Sequence, residues 1–315
     1  MTLLAPAPTM TPSSAPQRRC LICNEPDPSA YALVYRLPDF QVIRCRRCDL
    51  TFIGSESGLE PEVEEYPLEQ YLHLESMYRA KARHDFAEVE RAWRNVNGSD
   101  HAPVRLLDIG CGVGMFVEEA ARHGWQVEGV DVNRVAVSYA AEQRHLRVSM
   151  QDAEGGLPFA SGSFDVATLF GVVEHLQKPH RLLADCHRVL RPGGMVVVQT
   201  PTEDGLLRRC GRWLFRLSGG KLTFPAYQFY QLHGGHSVCF SRKSLGRLLQ
   251  QLDFEVRDVM DSTYGLKVLL HRFHLLPWPS RLAKSAGTAL IFGLGRVIGR
   301  SNHMTAFATK GGGES

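Results

Sequence analysis

The chain has 315 residues, of which 44% are hydrophobic and 22% charged, and it carries a net charge of +3. This is the make-up of a soluble globule with one large core and room for a small extra module. The balance gives no argument for nucleic acid as a partner, and no apolar run approaches the roughly eighteen residues of a membrane span.

Residues 1–17 are rich in Pro, Ser, Thr and Ala, with no basic segment leading into an apolar core. They read as a disordered tail rather than a signal peptide, which implies a cytoplasmic protein. Eight cysteines in such a chain argue for thiols or metal, not a disulfide framework.

Residues 18–60 form the first module. Cys20-Leu-Ile-Cys23 and Cys45-Arg-Arg-Cys48 are two C-x-x-C pairs, separated by about twenty residues. Residues 31–36 and 40–44 read as short strands around a turn at Pro38-Asp39. This is zinc-ribbon spacing. Four thiolates close a tetrahedral Zn2+ site and leave no open position, so the metal is structural. The competing reading is four unrelated thiols; a redox pair is usually single and opens a helix. Arg18, Arg19, Arg44, Arg46 and Arg47 make the module basic. They either hold RNA or offset the thiolates.

Residues 61–100 read as a helical cover. The helix spans 76–95, with Met77, Ala80, Phe86, Val89 and Trp93 as its buried stripe. It packs on the following domain and covers a ligand entrance. Asn97-Gly98-Ser99-Asp100 ends it.

Residues 104–114, VRLLDIGCGVG, combine a buried strand, a glycine turn and a helix start at Met115. Gly110, Gly112 and Gly114 let the backbone approach a ligand closely. The helix N-terminus offers N–H groups to a carboxylate or phosphate. A dinucleotide fingerprint needs G-x-G-x-x-G, whereas here the spacing is G-x-G-x-G. Asp108 before the turn repels a pyrophosphate and suits an ammonium. A second strand, 126–130, ends at Asp131, followed by Val132. That is the place for a carboxylate that holds ribose hydroxyls. Ribose, ammonium and carboxylate together describe S-adenosyl-L-methionine (SAM).

With these segments in hand, the chain resembles the class I SAM-dependent methyltransferases. LLDIGCGVG, VEGVD, QDAEGGLPF, SFDVATLFGVVEHL and RPGGMVVVQTP occur in family order across residues 106–201. The resemblance implies an α/β fold: a doubly wound, Rossmann-like domain over residues 101–310, behind the N-terminal ribbon. It also implies that Asp152 accepts from the adenine amino group and that the Ala153 N–H meets the ring, although Asp152 also suits a helix or turn cap. Phe170, Gly171 and Val172 line the methyl pocket. The remaining elements are a helix at 134–143, strands at 145–149 and 163–170, a helix opened by Glu174-His175, and a Pro192-Gly193-Gly194 turn into a strand at 195–200. The four-cysteine module before such a domain resembles a loose group of small-molecule methyltransferases, several in glycan or natural-product pathways. The acceptor is then a small molecule: a sugar, a lipid-linked glycan or a natural-product intermediate. An RNA methyltransferase, a SAM-binding adaptor without activity and a scaffold with an idle site remain as alternatives.

Residues 202–240 read as a lid inserted after the fifth strand. Within it, 206–217 is an amphipathic helix with Arg208, Arg212 and Arg216 on one face and Leu207, Trp213, Leu214 and Leu217 away from it. It is either a surface helix or a contact for a membrane or a lipid-linked substrate. The mixed apolar and basic stretch 266–299 adds weight to the second reading. An aromatic run, 224–230, leads to His233, His236 and Cys239, whose spacing also permits a metal. Similar methyltransferases carry a His shortly before Phe-Ser, and His236 matches it. For proton removal His236 ranks first, His175 second, and Glu174, which could equally cap a helix, third. A helix at 242–252, a strand at 254–260, a closing strand at 305–310 and a frayed tail at 311–315 complete the chain.

Overall fold

A computed structural model describes residues 18–38, 40–54, 67–98, 103–223, 235–262 and 278–311. The expected tail at 1–17, Asp39 of the expected turn, the aromatic run 224–230, His233, residues 266–277 of the mixed apolar and basic stretch and most of the expected frayed end lie outside the described residues.

The N-terminal module is a small antiparallel sheet of β1 (Tyr31–Arg36), β2 (Gln41–Cys45) and β3 (Thr51–Ile53). Two helices follow, α1 (Leu68–His73) and α2 (Glu75–Asn97). The central domain then alternates: β4 (Arg105–Ile109), α3 (Met115–Arg122), β5 (Gln126–Asp131), α4 (Arg134–Arg144), β6 (Val148–Met150), β7 (Phe164–Phe170), α5 (Pro179–Val189) and β8 (Leu190–Pro201). The last part holds α6 (Leu206–Leu217), β9 (Val238–Cys239), α7 (Arg242–Gln251), β10 (Phe254–Ser262), α8 (Trp278–Val297) and β11 (His303–Lys310).

Seven strands form one sheet in the order β10-β11-β8-β7-β4-β5-β6. The strands from β4 to β8 pair in parallel, and β11 is antiparallel to both its neighbours. β4 and β7 are fully buried over their apolar centres, as parallel strands covered on both faces must be. The chain leaves β4 toward β5 and β6 and later returns on its other side as β7. Strand order therefore reverses at β4, and the crevice beyond its C-terminal end is the expected place for a ligand.

Four local expectations change. The buried stripe of α2 is Ala82, Asp85, Phe86, Val89 and Trp93, while Met77 is half-buried and Ala80 exposed. Phe86 sets the phase by packing on Phe116 and edge-on to Trp125. Glu174 and His175 lie in a turn, not in a helix start, because α5 begins at Pro179, whose ring fits the first helical position. The Pro192-Gly193-Gly194 segment is part of β8, where the pairing with β7 shifts register between Phe164 and Val166. The faces of α6 are mixed: Arg216 is exposed and Phe215 buried, as in an ordinary surface helix, but two other arginines turn inward. Arg208 is buried and Arg212 half-buried on Glu203, while Trp213, Leu214 and Leu217 are exposed. A buried carboxylate that needs cations outweighs the amphipathic pattern here.

Among the described residues, no helix is long and apolar enough to cross a membrane.

Candidate functional site

The four cysteines of the small sheet come together. Their sulfur atoms all lie within 4.8 Å of one another, and Cys23 and Cys45 are 3.6 Å apart. Zn–S bonds of about 2.3 Å set tetrahedral sulfur separations of about 3.8 Å, so this cluster fits one zinc ion. The hydrogen bond between Cys20 and Cys45 raises the first thiol and lowers the second, while burial lifts Cys48. Thiols packed this closely cannot all ionise without a cation among them.

The glycine turn follows β4 and leads into α3. Gly110 has φ +77°, and a Cβ on it would stand 2.4 Å from Val172 Cγ2. Gly112 has φ +51°, and a Cβ there would meet the Tyr71 ring at 3.2 Å. Both positions exclude a side chain through conformation and through close approach. Gly114 is the left-handed N-cap of α3.

Asp131, at the end of β5, ties the turn to this strand. Its carboxylate accepts from the Gly112 N–H at 2.7 Å and from the Asn133 N–H at 2.8 Å. Each oxygen retains acceptor capacity for a ligand hydroxyl. Beside it, Val132 is 45% exposed and Met150 is 51% exposed, which leaves an apolar edge next to the carboxylate. Asp108 is buried and accepts from the Thr168 hydroxyl at 2.7 Å. Burial lifts its carboxyl to about 7 against that hydrogen bond, and a ligand ammonium nearby would bring it down. The glycine cradle and the two carboxylates thus fit SAM. Asp152 caps the short turn at Ala153–Gly155 by accepting from the Glu154 N–H at 2.9 Å. The Phe170 ring packs edge-on against Phe116, with Lys81 above it.

Two polar groups flank the end of β8 through adjacent residues. Gln199 donates to Asp85 and to the Thr305 hydroxyl, and Lys81 joins Asp85 and Gln199. A cavity of about 300 Å³ opens beside this group, lined by Asp85, Phe170, Gln199, Met260, Arg296 and Thr305 among others. Thr200 instead donates to Glu174 at 2.9 Å. Glu174 is buried, and burial raises its carboxyl above the usual range. His175 and His236 meet edge-on, 4.9 Å between ring centres, and come together with Glu174. Cys239 does not join them; its thiol donates to the Pro201 carbonyl. His175 Nδ1 donates to the Gly235 carbonyl at 3.1 Å, whereas His236 Nδ1 accepts from Arg208 at 3.5 Å.

Tyr71, Lys81, Gln199, Thr200 and Arg208 are the site neighbours that sequence reasoning missed. A signal existed for two of them. Gln199 and Thr200 end an otherwise apolar strand, MVVV, at the edge where ligands bind.

Comparison with known proteins bears on these residues. The model of a family described as "Methyltransferase domain" matches residues 78–259, more than half of the chain. A ubiquinone biosynthesis O-methyltransferase from Caulobacter sp. is 40% identical over 102 residues, covering 31% of this chain and 40% of that protein. The chain thus spans about two fifths of the length of that relative. A protein of the same name from Pseudomonas aeruginosa is 28% identical over 171 residues, 51% of this chain and 68% of that protein. A SAM-dependent methyltransferase structure from Archaeoglobus fulgidus aligns with 76% of this chain and 99% of its own, at 18% identity and a TM-score of 0.48.

Proposed function

The chain belongs to the methyltransferase-domain family, and on that premise we propose that it transfers a methyl group from SAM to an oxygen of a small-molecule acceptor. The observation that carries this reading is the Asp131 carboxylate, held by the Gly112 and Asn133 N–H groups beside the glycine turn. In this reading Asp131 takes the ribose hydroxyls, Val132 and Ala153 border the adenine, and Asp152 accepts its amino group. Asp108 faces the ammonium, and the turn at Gly110, Gly112 and Gly114 makes room for the chain between them. Phe170 faces the methyl. When bound, SAM supplies an electrophilic methyl on its sulfonium. The chain's own contribution is to hold the acceptor in line and to take its proton.

The hydrogen bonds support His175 over His236 for that proton. A neutral His175 that donates from Nδ1 has Nε2 as its basic nitrogen. The Arg208 contact uses the Nδ1 lone pair of His236. His236 then orients the pair. The O-methyltransferase relatives favour oxygen as the acceptor atom. The ribbon arginines favour a small molecule over RNA: Arg44 pairs with Asp49, and Arg47 with Glu25. Calorimetric titration tests the cofactor. SAM and its demethylated product should both bind and NAD should not; heat with NAD but none with SAM would reverse the assignment.

A second reading concerns where the acceptor resides. Trp213, Leu214 and Leu217 of α6 and Leu290, Leu294 and Val297 of α8 are exposed, with Arg216 and Arg296 beside them. Apolar side chains flanked by cations suit an anionic lipid surface, and thus a lipid-linked acceptor. Replacing Trp213 and Leu217 by Gln should reduce sedimentation with phosphatidylglycerol vesicles. Equal sedimentation by both proteins would remove this reading.

A further inference from the structure

The ribbon's sheet does not end with the ribbon. Its fourth strand is β9, more than a hundred and eighty residues away in sequence, paired antiparallel with β3 through Thr51–Cys239 and Phe52–Val238. The Ile53 N–H continues the pairing to the Ser237 carbonyl at 3.1 Å. A two-residue strand has little order of its own and takes its place from its neighbours.

The other edge of the same segment reaches the histidines. The Ser237 N–H donates to the Glu174 carbonyl at 2.9 Å, and its hydroxyl to the Leu176 carbonyl at 2.5 Å. Glu203 N–H donates to the Phe240 carbonyl at 2.9 Å. Gly235 accepts from His175 Nδ1, and His236 precedes this stitched stretch. The ribbon also meets His236 by a second route. Tyr35 of β1 packs edge-on against Phe215 of α6, the helix that carries Arg208.

Packing joins what the hydrogen bonds connect. Cys20, Cys45, Cys48 and Phe52 share one core with Val173, Val238 and Phe240. Two side chains bridge the modules at the ribbon's margins: Arg247 of α7 donates to the Arg47 carbonyl and to Cys48 Sγ, and Arg18 donates to the Gln177 carbonyl. Such a module is built into the wall of the reaction centre.

We propose that the four-cysteine ribbon is a positioning element of the reaction centre: β3 fixes residues 235–240, and through the Gly235 carbonyl it sets the orientation of His175. The inference rests on the reading of His175 as the base only for its catalytic consequence; the positioning itself is a statement about a hydrogen bond. The Ile53 N–H points at residue 237 and not at β2, so Ile53→Pro cuts this link and leaves the β2–β3 ladder its own bonds.

The test is made on the full chain with ring-15N-labelled histidine, with the His175 Nδ1–H signal assigned from its loss in His175→Gln. In the wild type this proton should exchange slowly with solvent. In Ile53→Pro its exchange should accelerate tenfold or more, while zinc content stays at about one equivalent and SAM affinity changes less than threefold. Wild-type protein stripped of zinc by a chelator should show the same acceleration and serves if the proline variant does not fold. An unchanged His175 signal in either sample overturns the proposal. So does a SAM affinity that falls in step with the signal, since the whole domain would then have loosened. Normal turnover by His175→Ala would remove the base assignment and leave this result standing.

Discussion

Replacing His175 with Ala should lower turnover by about a hundredfold or more, the usual loss when a general base is removed, with SAM affinity nearly unchanged. The expectation follows from the tautomer. The Gly235 carbonyl fixes the proton on Nδ1 and leaves Nε2 as the basic nitrogen. His236→Ala should cause a smaller loss, because its Nδ1 already accepts from Arg208. The assignment is checked by steady-state kinetics beside calorimetry. A larger loss in His236→Ala than in His175→Ala would reverse the two roles. Near-normal turnover in both would place proton removal on the acceptor itself.

Asp131→Ala should weaken SAM binding by about 2 kcal/mol, roughly thirtyfold in Kd, through loss of charge-assisted hydrogen bonds to the ribose. A second effect adds to this. The same carboxylate accepts from the Gly112 N–H, so its removal also releases the glycine turn from β5. Asp131→Asn retains one acceptor oxygen and should fall between wild type and Ala. Unchanged affinity in the Ala variant would mean that the ligand does not reach the end of β5.

The parts of this protein that local chemistry governs were legible in the sequence. An apolar strand, a G-x-G-x-G turn and a helix are fixed by neighbouring residues, and VRLLDIGCGVG forms them. The cysteine pairs announced a cluster by spacing alone, and their sulfur atoms converge. What distant partners decide was not legible. Arg208 is the exception to distance: it turns inward to Glu203, a carboxylate almost without solvent only five residues before it, which lies outside the helix whose amphipathic pattern set the expectation. The Val238–Cys239 strand has no pattern of its own, because its partner is β3. Lys81 and Asp85 read as the polar face of an amphipathic helix, yet they meet Gln199 from the far end of another element. The polar residues that surround the candidate site are thus mostly those whose partners lie far away in sequence.

The most direct test of methyl transfer from this site supplies methyl-labelled SAM to the purified protein in cell extract and separates small molecules, lipids and RNA. Label should appear in a small-molecule or lipid-linked fraction with wild-type protein and should be lost with Asp131→Ala. Label in RNA, or no transfer above the level of the Asp131→Ala variant, would contradict the account.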